Sequence, residues 1–192
     1  MEAAAKGEVD IKVFGFWVYL MTDLVIFAAL FATFIVLRDS TFGGPTGREL
    51  FELPSAFAET LILLTSSFTC ALATLAVHRL QQKLAIFWFL VTFVLGVAFL
   101  YIEISEFSKF IVAGATPQRS GFLSSFFTLV GTHGFHITIG LLWMIVGMFR
   151  LALRPLNAHS ISRIFRLAYF WHFLDVVWVF IFTVVYGMGH LL

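Results

Sequence analysis

Apolar residues fill five long runs of this chain, separated by four short polar or Gly/Pro-bearing stretches. The runs cover about 14–37, 55–77, 84–112, 122–149 and 167–188. Each reaches or exceeds the roughly 20 residues an α-helix needs to cross a hydrocarbon core. The pattern therefore predicts an all-α, polytopic membrane protein with a bundle of five transmembrane helices. Arg38-Asp39-Ser40 and the loop TFGGPTGRE close the first run. Pro54 opens the second, at a helix start where its missing N–H does no harm. HRLQQK is so short that the second and third helices must be antiparallel neighbours. AGATPQRSG parts the third from the fourth, and RLALRPLNAHSISRIFR reads as the loop leading to the fifth. No internal repeat or linker divides the chain, so 14–190 reads as one domain behind a segment at 1–13.

Lysine and arginine set the expected orientation. One side would hold Lys6, Lys12, Arg79, Lys83, Arg150, Arg154, Arg163 and Arg166, and the other Arg38, Arg48, Lys109 and Arg119. The richer side predicts a cytoplasmic N-terminus and a periplasmic C-terminus. No cleavable leader is read at the N-terminus, and its EAAAK matches a common helical linker repeat, so it is left out of the argument.

Composition narrows the class without naming a chemistry. The 192 residues are 60% hydrophobic with a formal charge of +1, which excludes an ordinary soluble domain and offers no basic footprint for nucleic acid. Cys70 is the single cysteine, so no internal disulfide is available.

The informative residues are the polar ones inside the runs, because an ionisable group at that depth costs a few kcal/mol unless it faces protein. At about 100° per residue, His133, His136, Gly140 and Gly147 share a stripe of the fourth helix, where small residues suit a close helix contact. On the fifth, His172, Asp175, Thr183, Tyr186 and His190 share a face. Glu103 and Glu106 lie with Thr92 and Gly96 on the third. Ser55, Glu59, Ser66 and Cys70 line the second, with Glu59 near enough to the outer surface to read as a solvated or interfacial acid. Asp23 sits roughly 13 Å into the first run at 1.5 Å per residue. It reads either as a packed acid bonded on its own helix, with Tyr19 at hand, or as a proton-handling group beside His172 or Asp175. Trp17, Trp143, Trp171 and Trp178 read as packing residues or interface anchors.

E-x-x-E at 103/106, H-x-x-H at 133/136 and H-x-x-D at 172/175 could in principle ligate metal in a bundle. Depth argues otherwise. Folding the third helix on the fourth puts Glu103 level with His133. Folding the fourth on the fifth puts His172 level with about Met144, so His136 and His172 are about 12 Å apart along the axis. No shared first coordination shell spans that distance. The expectation is interhelical hydrogen-bonded pairs, Glu103 with His133 in particular, directly or through one water, and no catalytic, cofactor-binding or metal-binding residue is assigned.

GTHGFHITIG and YFWHFLDVVWVFIFTVVYGMG resemble the two signature segments of subunit III of the haem–copper terminal oxidases. YIEISEF with PQRSGFLSSFF resembles the stretch before them, and GFWVYLMTDLVIFAALFATFIVL the first helix of the short, five-helix members. The resemblance runs from Phe14 to His190, and the wording is most like the bo-type ubiquinol oxidases. It implies a non-catalytic core subunit of a proton-pumping complex in a bacterial inner membrane, which oxidises quinol and reduces oxygen to water. It further implies haem and copper in the catalytic subunit I and none here, bound phospholipid, and contacts with subunit I and other oxidase subunits. Asp23 falls where longer members carry a glutamate in a lipid-filled cleft; the shorter acid departs from that pattern. Rival readings are a cytochrome c oxidase subunit III, a self-contained metal or haem enzyme built on Glu103, Glu106, His133, His136 and His172, and a small carrier. A carrier would show paired repeats or broken helices, and neither is visible.

Overall fold

The computed structural model describes residues 2–51, 53–153 and 156–187, with side chains left undescribed also at 2–10, 12, 48, 49, 158 and 159. His190, Arg154 and the side chains of Lys6, Lys12 and Arg48 thus lie outside the described residues. All regular structure in the described chain is helical: α1 (Glu2–Leu37), a single turn α2 (Gly47–Leu50), α3 (Leu53–His78), α4 (Gln82–Val112), α5 (Gly121–Leu153) and α6 (Ala158–Ile181). A π-helical turn, Phe182–Gly187, continues α6. Among the described residues five helices are long and apolar enough to cross a membrane, as the five runs predict.

Local chemistry explains where the helices stop. At the end of α3 the N–H of Gln81 reaches the Ala76 carbonyl and that of Leu80 reaches Val77, with Leu80 left-handed at φ 56°. The same paired-bond stop closes α4, now with Gly114 in the left-handed seat at φ 78°, where a glycine carries no Cβ penalty. Ser120 caps α5 by accepting the Leu123 N–H, and Asn157 caps α6 by accepting that of Ser160. This last cap corrects one reading. AHSISRIFR is the start of α6 rather than loop, because Asn157 starts the helix and Ile161, Ile164 and Leu167 continue its packed stripe.

Two ties fix the up-down order. The Phe122 N–H donates to the Ser40 carbonyl, joining the α1–α2 loop to the head of α5. At the opposite end the Gln82 side-chain amide donates to the Leu151 carbonyl. α3 and α4 pair most closely, α6 packs on both α3 and α5, and α1 lies mainly against α5 and α6. Much of the outward surface of α1 is apolar, with Phe14, Val18, Val25 and Val36 exposed, as expected of a helix that faces lipid or another membrane chain.

The bundle core is built around tryptophan. Trp171 and Trp178 of α6 are buried, and each indole N–H donates to α3, to Ser66 Oγ at 3.0 Å and Thr60 Oγ1 at 3.1 Å. Trp171 lies in a notch between Gly96 of α4 and Gly140 of α5. A methyl group on Gly96 would meet the ring edge at 2.7 Å, and one on Gly140 would meet it at 3.1 Å. The small residues on the two predicted stripes thus make room for one ring. Trp171 also sets the depth register of α5 on α6: it meets Gly140, so His172 is level with about Gly140 rather than Met144.

Candidate functional site

The polar side chains gather at three places inside the bundle. The first joins α1 to α5. Asp23 is buried, and its Oδ2 faces Nε2 of His136 at 3.9 Å. His136 Nδ1 lies 2.8 Å from the Thr132 carbonyl. A carbonyl only accepts, so Nδ1 carries a hydrogen. Tyr19, one turn before Asp23, also hydrogen-bonds its carboxyl. Phe27 covers the pair, its ring 5.2 Å from that of His136. The imidazole that Asp23 meets is therefore on α5, not the His172 or Asp175 expected from depth. The own-helix contact to Tyr19, the other reading, is formed as well.

The second place joins α6 to α3. His172 Nδ1 is 2.7 Å from Ser67 Oγ, and Asp175 Oδ2 is 4.0 Å from the same imidazole nitrogen. Close by, Thr69 and Thr92 share a hydrogen bond of 2.8 Å between α3 and α4. Thr183, placed by helical phase on the His172 face, is exposed and bonds the Val179 carbonyl of its own helix.

The third place lies towards the end of the bundle that carries α2. Glu103 and Glu106 point inward from α4, as their shared stripe predicts, and Glu59 meets them from α3. Glu59 is 0% exposed, so it is no interfacial acid. At the same end Phe51, just after α2, folds inward against Tyr186 (4.9 Å) and Phe126 (5.0 Å). Tyr186, from the π-helical turn, completes the group. Glu103 and His133 occupy adjacent levels as predicted, but the direct hydrogen bond between them is not formed. The Glu103 carboxyl lies over Gly134, where an added methyl would meet its oxygens at 2.7 and 2.9 Å. His133 points one residue further round α5, with its ring 5.3 Å from Trp178 and 5.9 Å from Phe99, and neither nitrogen has a hydrogen-bond partner.

Among the described residues no three His, Cys, Asp or Glu side chains are placed to hold a metal ion. Among the described residues the carboxylates and imidazoles are parted among three interfaces. A groove of about 520 Å³ runs between α1 and α6, walled by Trp17, Leu24, Phe27, Phe173 and Phe180, with His172 in its lining.

Five spans, with the His, Asp and Glu of the signature segments on inward faces, match what the resemblance implies, and comparison with known proteins decides it. The family model described as cytochrome c oxidase subunit III matches residues 3–190. The chain belongs to the cytochrome c oxidase subunit III family. It is 55% identical to the cytochrome bo(3) ubiquinol oxidase subunit 3 of Pseudomonas aeruginosa over 93% of this chain and 86% of that one. It is 49% identical to the protein of the same name from Pseudomonas putida, over 94% and 87% of the two chains. Against a cytochrome c oxidase subunit 3 of a Bacillus species the identity is 47%, over 93% and 86%. Subunit III is a non-catalytic member of its oxidase complex, and this one is a multi-pass membrane protein.

Sequence reasoning found the polar residues of this subunit III but missed what holds them. Gly134 was readable only as one more small residue, although it is the seat of a carboxyl. Gly134→Ala should cost about 1 kcal/mol, at the low end of overpacking, because the colliding atoms end a flexible side chain. Thermal unfolding of the purified variant checks this. The cost should vanish in a Glu103→Ala background, and a cost that persists there would place the strain elsewhere.

Proposed function

We propose that this chain is subunit III of a bo-type ubiquinol oxidase, a proton-pumping complex of a bacterial inner membrane. The observation that carries the reading is the 55% identity to a bo(3) subunit 3 along nearly the whole chain. The 47% identity to a cytochrome c oxidase subunit makes the alternative donor a real second reading. In the first reading the complex oxidises ubiquinol and reduces oxygen to water. Haem and copper supply the redox chemistry from the catalytic subunit I, and this chain contributes packing surface and lipid.

The apolar groove between α1 and α6 supports the lipid role. Its walls are aromatic and aliphatic, and Trp17 and Tyr169 flank it (ring centroids 5.8 Å apart) as amphipathic rings do near a headgroup. The excess of Lys and Arg on one side supports a cytoplasmic N-terminus. Asp23 with His136, at the α1–α5 seam, is the proton-linked candidate.

Affinity purification of the tagged chain from native membranes tests the reading. A haem-bearing large subunit that oxidises quinol should co-purify. A complex that turns over cytochrome c and not quinol would favour the second reading, and a lone chain with its own visible spectrum would overturn both. Deleting this subunit should leave the haem bands of the remaining complex unchanged while shortening its lifetime during turnover or on heating. Loss of a haem band with the partner still folded would contradict the non-catalytic role.

A further inference from the structure

Hydroxyl groups that face outward from the spans are mostly satisfied by their own helices. Thr22, Thr33, Thr65, Ser105, Ser108 and Thr128 each donate to the carbonyl four residues before. Tyr101 of α4 cannot do this, because a rigid ring holds its hydroxyl away from the backbone. The residue is 74% exposed, and among the described residues no group hydrogen-bonds it. Its depth matters. α4 runs from Gln82 to Val112, so its midpoint is near Val97 and Tyr101 lies about 6 Å beyond that at 1.5 Å per residue. Side chains on a helix lean towards its N-terminus, which carries this hydroxyl back towards the middle of the span and away from the nearer surface. In a hydrocarbon core about 30 Å thick, the hydroxyl is then more than roughly 10 Å from any headgroup.

We propose that the outward face of α4 around Tyr101 is a docking surface for a transmembrane helix of another oxidase subunit, one that presents a hydrogen-bond acceptor to the Tyr101 hydroxyl. Neither water nor a phospholipid headgroup reaches that depth, and an acyl chain offers no acceptor. The group that satisfies this hydroxyl therefore belongs to another polypeptide, as an Asn, Gln, Asp, Glu, Ser or Thr side chain within a span. The surrounding face suits such a neighbour. Val94, Val97 and Ile104 are exposed and β-branched, so they lose little side-chain freedom when covered. Ser105 and Ser108, their hydroxyls already spent on α4, let a second backbone come close. Tyr101 stands out from this low surface as a knob. α4 packs on α3 and α5, whereas the Asp23 seam and the apolar groove belong to α1, so this surface is separate from both. The inference rests on membership of an oxidase complex and not on which donor that complex oxidises.

Tyr101→Phe tests it, because the change removes the hydroxyl and keeps the ring. In complex extracted from native membranes, the variant chain should dissociate about threefold faster than the parent, as loss of an average membrane hydrogen bond of about 0.6 kcal/mol gives. Tyr101→Ala, which removes the knob as well, should dissociate faster still. A photoreactive benzoyl-phenylalanine in place of Tyr101, irradiated in native membranes, should join this chain to a different subunit, identified by the mass of the joined peptides. Where that bulkier probe does not assemble, the dissociation rate of Tyr101→Phe decides alone. Adducts to lipid only, a joined band at twice the mass of this chain, or a Tyr101→Phe variant that dissociates at the parent's rate would each overturn the proposal.

Discussion

Trp171→Ala should destabilise the assembled bundle by about 2–4 kcal/mol, and the loss should come from the ring rather than from its hydrogen bond. In water a buried Trp→Ala change costs about 3–5 kcal/mol, part of it hydrophobic transfer. Lipid is as apolar as the core, so that part largely drops out and lost packing remains. An interhelical hydrogen bond in a membrane averages about 0.6 kcal/mol. Ser66→Ala, which removes the acceptor of the Trp171 N–H and a local bond to the Leu63 carbonyl but leaves the ring, should therefore cost several-fold less. Gly96→Ala should cost about 1–3 kcal/mol, because its new methyl meets the far edge of the indole at 2.7 Å and Leu141 Cδ2 at 2.9 Å, and the ring cannot move between three helices. Phenylalanine lacks that far edge. Gly96→Ala should accordingly cost less in a Trp171→Phe background, with the Leu141 methyl as the remaining contact, a coupling that thermal unfolding of the four proteins of the cycle measures directly. Equal costs in both backgrounds would mean that the notch is not what Gly96 provides.

The span pattern of this fold was legible because hydrophobic length is a direct physical demand of the membrane. Depth was legible where the intervening loop was read correctly. Glu103 and His133, folded about Pro117, do occupy adjacent levels. The α5–α6 register slipped by about one helical turn because a helix start was taken for loop. Asn157 caps a segment whose Arg163 and Arg166 break the apolar run without breaking the helix. Correcting that register brings His172 and His136 closer along the axis than about 12 Å, so depth alone no longer separates them. What separates them is azimuth: His136 turns to Asp23 on α1 and His172 to Ser67 on α3.

Azimuth also decides the fate of the other polar groups. Glu103 and His133 have matching depth but point to different neighbours, and stripes drawn one helix at a time cannot reveal that. Glu59 looked interfacial because its position was counted from the helix start, whereas at that end of the bundle Phe51, a loop residue before the span, packs inward on Phe126 and Tyr186. Thr183 fell off its stripe because it lies inside the π-helical turn, where the winding departs from 100° per residue. In each case the missing information is which helix lies opposite, and that follows from packing among all five spans rather than from any one of them.

Pairing of Asp23 with His136 leads to the last expectation. His136 Nδ1 holds a hydrogen for the Thr132 carbonyl, so an imidazole with only that hydrogen would present a bare lone pair from Nε2 to Asp23 Oδ2. At 3.9 Å the two groups are neighbours across the α1–α5 seam, and a proton between Nε2 and Oδ2 would join them. An amide in place of the acid can donate to the same nitrogen. Asp23→Asn should therefore assemble with stability within about 0.5 kcal/mol of the parent. Asp23→Leu and His136→Leu each strand a buried polar partner and should cost about 1–3 kcal/mol. The doubly apolar variant should be more stable than either single one, as expected when both halves of a buried pair are replaced together. Thermal unfolding of the reconstituted complex reads this cycle, and strictly additive losses would show that the two groups do not interact. Since Asp23→Asn keeps the packing but cannot exchange the proton, it also isolates the chemistry. Oxygen uptake and proton release measured together in that variant should show a fall in proton yield or in lifetime during turnover if the pair handles protons. Unchanged values would make the pair a packing element of the α1–α5 seam.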